Sequence, residues 1–137
     1  MSLREIAKVT DTTEVTLRHP TTDAILTNAD GSPMVVVIHG PYSKRYKNTA
    51  HEQTNRRLNK MNRTGGKMTM TAEEIEESTL DLMVACVESW NITVDTKPEP
   101  FSTAAVRKVF EEFPWLREQV ESVMGDTRAF LAESKPS

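Results

Sequence analysis

Residues Val35-Val36-Val37-Ile38 set four β-branched side chains in a row between two proline-containing breaks, Asp30-Gly31-Ser32-Pro33 and Gly40-Pro41. Side chains branched at Cβ are stiff at χ1, which disfavours helix and suits a pleated surface, so Met34–Ile38 is predicted to be a strand. The next segment has the opposite grammar. From Ser43 to about Asn62 there is no proline or glycine, helix formers dominate, and Ser43 is a suitable N-cap. A strand region leading into a long helix predicts an α+β chain.

The flanking segments extend that plan. Glu14–Arg18 alternates polar and apolar residues, the period of a half-buried strand, and His19-Pro20 ends it. Ala24-Ile25-Leu26 is a further short apolar piece, and the Asp30-Gly31 turn offers a positive φ. Residues 14–40 therefore read as two or three antiparallel strands, which need helices to pack on, because a lone hairpin is marginal in water. Residues 1–13 are expected to be frayed or loosely docked. Thr71-Ala72-Glu73-Glu74 is a capping box opening a core helix over about 72–89, with Ile75, Thr79, Leu82, Met83, Cys86 and Trp90 recurring at three to four residues as its stripe. Trp90–Val94 alternates like a strand, and Lys97-Pro98-Glu99-Pro100 is an extended linker. Ser102 caps a helix over about 103–112; Pro114 ends it and starts another over about 115–124. Gly125 is placed as a C-cap, and Asp126 opens a last helix over about 127–133.

The 137 residues are predicted to form one domain: a β-rich part at 14–40, a basic polar helix at 43–63, a helical core at 71–133 and a flexible tail at 134–137. The fold class is a small N-terminal set of antiparallel strands packed on a predominantly helical C-terminal part of about four to five helices. A single cysteine rules out a disulfide framework or a multi-cysteine zinc site. The longest apolar run is far shorter than the ~18 residues a membrane span needs, and the N-terminus lacks a secretory signal's apolar segment, so a soluble, cytoplasmic protein is expected.

Charge is unevenly spread. Residues 42–63 carry seven basic side chains against Glu52 alone, whereas residues 64–137 carry seven basic and fourteen acidic ones. No glycine-rich phosphate loop and no metalloprotease or serine-hydrolase signature is present. The three histidines, His19, His39 and His51, sit in different elements, and Cys86 falls on an apolar stripe as a buried thiol would. The chain is read as a non-enzyme with no cofactor and no metal.

The run "NADGSPMVVVIHGPYSKRYK" resembles the N-terminal region of tail assembly chaperones of long-tailed, siphovirus-type bacteriophages and prophages. "PFSTAAVRKVFEEFPWLREQVESVMGDTRAFL" is similar to the same family's C-terminal region, with a capped helix, an aromatic-Pro-Trp break and a further helix pair, so the likeness spans about residues 14–131. The resemblance implies a non-catalytic morphogenesis protein acting in the host cytoplasm and absent from the finished virion. It implies binding to the tape measure protein, recruitment of major tail tube subunits, a longer form made by translational frameshifting, and self-association into a ring or spiral with an apolar groove.

Six of the eight aromatic residues lie after residue 89. Phe110, Phe113, Trp115 and Val120 are accordingly the candidates for a partner-binding groove. Lys44, Arg45, Arg56 and Arg57 of one copy, against Glu73, Glu74 and Glu77 of the next, are the candidates for charge-based self-association. Two other readings compete. One is a small nucleic-acid-binding or regulatory protein using residues 42–63, which the acidic remainder of the chain and the lack of a recognised module disfavour. The other is a structural head or tail completion protein.

Overall fold

The computed structural model describes residue 3, residues 7–63, residue 65 and residues 70–133. The expected flexible tail at 134–137 lies outside them. The chain runs β1 (Ala7–Val9), β2 (Thr12–Thr16), β3 (Val35–His39), α1 (Lys44–Arg63), α2 (Ala72–Cys86), β4 (Val87–Trp90), α3 (Thr103–Glu112), α4 (Pro114–Met124), a 3-10 turn (Thr127–Phe130) and β5 (Leu131–Glu133). The α+β expectation holds, with N-terminal strands and a helical C-terminal part.

The β-branched run is the centre of a three-stranded antiparallel sheet of order β2-β3-β4. Val15 pairs with Val36, and Val36 pairs on its other side with Trp90. Val36 and Ile38 are wholly buried while Val35 and Val37 are half-buried, so one face of β3 meets the core. Beyond β2 the strands splay. The 24–26 segment wedges between them: Leu26 N–H donates to the Leu17 carbonyl, Met34 N–H to the Leu26 carbonyl, and Leu17 N–H to the Met34 carbonyl. The turn at residues 28–32 closes this wedge, with Gly31 at φ 87°. Asp30 accepts from both the amide and the hydroxyl of Ser32, which holds its carboxyl below the usual range.

The core joins that sheet face to α2, α3 and α4 through Leu80, Met83, Val106, Phe110, Leu116 and Val120, with Phe130 below. Caps sit where side-chain chemistry puts them: Thr71 accepts from Glu74 N–H and Ser102 from Ala105 N–H. Ser43 accepts from Tyr46 N–H and donates to the Gly40 carbonyl.

Four expectations are corrected. Residues 7–13 are not frayed: β1 pairs with β5, and β2 begins at Thr12. Helix α2 stops at Cys86, not 89, because Val87–Trp90 is taken into the sheet beside β3. Its buried stripe is Leu80, Met83, Val84 and Cys86, which leaves Ile75 exposed. The segment after Asp126 makes one 3-10 turn and then a strand instead of a helix. Gly125 caps α4 as expected, in the right-handed region at φ −80°, so its conformational freedom is not used.

Candidate partner-binding site

Pro114 begins α4, where its missing N–H costs nothing. Phe113 closes α3 by donating its N–H to the Val109 carbonyl, and its own carbonyl accepts from Leu116 and Arg117. This tight corner sends Phe113 and Trp115 to one side, where their rings meet edge-on at 5.9 Å between centroids. Opposite them stand Leu17, Leu26 and Met34 from the β wedge, with Ile92 and Val94 from the segment after β4. Together they bound an apolar cleft of about 180 Å³. Leu17, Ile92, Val109 and Leu116 are its buried floor, and Leu26, Met34, Val94, Phe113 and Trp115 its half-buried rim. A dry apolar cavity of about 150 Å³ accepts a benzene ring, so this cleft is sized for one large apolar side chain.

Of the four groove candidates, Phe113 and Trp115 line this cleft. Phe110 and Val120 do not: they are 1% and 0% exposed and belong to the core. Helical periodicity marks all four as one apolar set, but only the residues at the corner reach the surface. The opposite wall has no local sequence signal, because Leu17, Leu26 and Met34 are brought to Trp115 from the far end of the chain by the sheet.

The charged candidates divide between a cleft and the start of α1. Arg56, Arg57, Glu73, Glu74 and Glu77 line one shallow cleft between α1 and α2 of the same chain, together with Lys60. Lys60 Nζ lies 3.5 Å from Glu74, and Glu77 reaches Arg107 of α3 at 2.9 Å. Arg45 donates to the Ala85 carbonyl and sits 4.0 Å from Glu88, beside the His39–Glu88 pair. Lys44 is exposed at the first position of α1, outside that cleft. Lys44 and Arg45 thus lie outside the cleft, while Arg56 and Arg57 share it with Glu73, Glu74 and Glu77 of the same chain. The antiparallel α1–α2 hairpin brings them together, an arrangement that the charge pattern alone does not distinguish from contact between copies.

Cys86 is buried, and burial pushes its thiol up to about 11 against a weaker opposing pull from Arg45. It is a core side chain, poorly suited to nucleophilic work at neutral pH. Among the described residues, no three His, Cys, Asp or Glu side chains gather as a metal site requires, and no helix is long and apolar enough to cross a membrane.

No family model matches the chain, and neither the curated proteins nor the solved structures yield a match.

Proposed function

We propose that the protein is a non-catalytic tail assembly chaperone that holds an apolar segment of a phage tape measure protein and brings tail tube subunits to it. Two supports carry this reading: the resemblance over residues 14–131, and the apolar cleft beside the Phe113–Trp115 corner, which carries most of the weight. A half-exposed aromatic pair over an apolar floor suits capture of a large side chain from an aggregation-prone partner. Self-association into a ring or spiral belongs to the same proposal. The charges of α1 and α2 give it no special support, since Arg56, Arg57, Glu73, Glu74 and Glu77 line one cleft of the same chain, where Lys60 pairs with Glu74. The same pairing weighs against nucleic-acid binding by α1, because Glu73, Glu74 and Glu77 stand beside its cations.

The test is co-expression with a fragment of the tape measure protein from the same genome, followed by pull-down at low and high salt. Wild type should retain the fragment at both, as an apolar contact does. Trp115→Asp and Phe113→Asp, checked for native circular dichroism, should lose it by about tenfold or more, the scale of an interface anchor residue. Equal retention by wild type and both variants would reject the cleft. If nothing binds and purified virions contain the protein, the structural completion reading takes its place.

A further inference from the structure

A second surface lies along β2. In an antiparallel pair, successive residues turn their N–H and C=O groups alternately toward and away from the partner strand. Asp11 accepts from Gly40 N–H and Leu17 donates to the Met34 carbonyl, so the odd residues of β2 serve the ladder with β3. Thr12, Glu14, Thr16 and Arg18 therefore turn their backbone groups to the other edge. Arg18 verifies this directly. Its N–H donates to Gln119 Oε1 and its carbonyl accepts from Gln119 Nε2, both at 2.8 Å, so an α4 side-chain amide occupies the position that a strand residue's peptide group would fill.

One helical turn further along α4, Ser122 and Val123 line the continuation of this edge, and neither makes the same pairing with Glu14 or Thr16. Between the β2 edge and α4 runs an open groove of about 490 Å³. Trp115 and Val123 give its α4 wall two apolar contacts among Glu118, Gln119 and Ser122. Its rim carries Glu14, Asp23 and Glu118 against His19 and Arg18, whose guanidinium already donates to the Asp23 carbonyl.

We propose that the β2 edge at Thr12–Thr16 accepts an extended cationic segment of a partner protein as an added strand. Backbone bonds to Glu14 and Thr16 would hold it, in line with the Gln119 amide. Alternate apolar side chains would face Trp115 and Val123, and the intervening lysines or arginines would face the acidic rim. The occupant is a partner segment and not a second copy, because charge complementarity asks for a cationic strand. Among the described residues no strand of this chain carries more than one lysine or arginine: Lys8 is the one such residue within β1 to β5.

The probe is a fluorescein-labelled acetyl-(Lys-Val)4-amide octapeptide followed by anisotropy against the full chain. Wild type should bind it, and at least about tenfold more weakly at about 1 M than at about 0.1 M salt, because the screening length of exposed charges shrinks from about 10 Å to about 3 Å over that range. N-methylation of alternate peptide amides should abolish binding in one phase and spare it in the other. Thr16→Pro removes only an outward-facing donor, which an edge strand tolerates, and should weaken binding at least about tenfold. Should that variant fail to fold, Ser122→Arg covers the edge from α4 and should give the same loss. Equal binding by wild type and a folded variant, or equal effects of the two methylation phases, overturns the proposal. So does a wild-type dimer that the folded variant reduces to monomer, which would give the edge to a second copy.

Discussion

The body of the molecule and its α1–α2 arm are built by different physics. In the body, Val36, Ile38, Val106, Phe110, Val120 and Phe130 are essentially inaccessible to water. In the arm, α1 buries none of its 20 residues, and α2 buries side chains only from Leu80 onward. Tyr46, Ala50, Gln53, Arg57 and Met61 are half-buried at helical spacing, and the contacts along this seam include the Gln53–Ser78 hydrogen bond and the Lys60–Glu74 pair. Leu58 and Ile75 remain exposed at 43% and 53%. The body is held by burial of apolar area and the arm by helix propensity, caps and polar contacts. The lesson is that one continuous helix pair need not be uniformly stable along its length.

Substitutions sharpen this contrast. Phe110→Ala should cost about 3–5 kcal/mol in urea unfolding, the usual result of a large cavity in a packed core. A cost below about 1 kcal/mol would mean that the body is loosely packed after all. Gly40→Ala should cost about 1–3 kcal/mol, because a Cβ there overlaps the Phe130 ring and one of the two must move. Thr71→Ala removes the cap of α2 at the outer end of the arm and should cost about 1 kcal/mol. Amide hydrogen exchange should show that loss concentrated at residues 72–79, with the body's amides protected at nearly the wild-type level. Leu58→Ala and Lys60→Glu should change stability least, within about 0.5 and 1 kcal/mol, the second falling further as salt rises. A larger effect at Leu58 would break the comparison by revealing a partner on the arm.

Where the sequence was legible, local chemistry decided the structure. The run of β-branched residues, the hydroxyl caps at Ser43, Thr71 and Ser102, the Asp-Gly turn and Pro114 each act over a few residues, and each is found in the expected role. Elsewhere a distant partner overrides the local pattern. Val87–Trp90 continues a helical periodicity, yet β3 takes it as a strand. Ala7–Val9 and Leu131–Glu133 are too short to announce themselves, and each is a strand only because of the other. The candidate cleft obeys the same rule. Phe113 and Trp115 can be named from the aromatic-Pro-aromatic corner, whereas Leu17, Met34 and Val94 join them only through the tertiary arrangement. Gln119 carries no signal at all, since one glutamine on a polar helix face is indistinguishable from its neighbours until its amide is seen against Arg18.

The β1–β5 ribbon carries a mechanical consequence. Its register sets Ala7 opposite Glu133, Lys8 opposite Ala132 and Val9 opposite Leu131. A load applied at Ala7 and Glu133 thus meets that pair first and opens the ribbon like a zipper, one rung at a time. Only when the third rung parts does tension reach Thr10, whose amide is tied to the Phe130 carbonyl, and through it the packed body. Pulled between Ala7 and Glu133, the fold yields first at a fuse three rungs long.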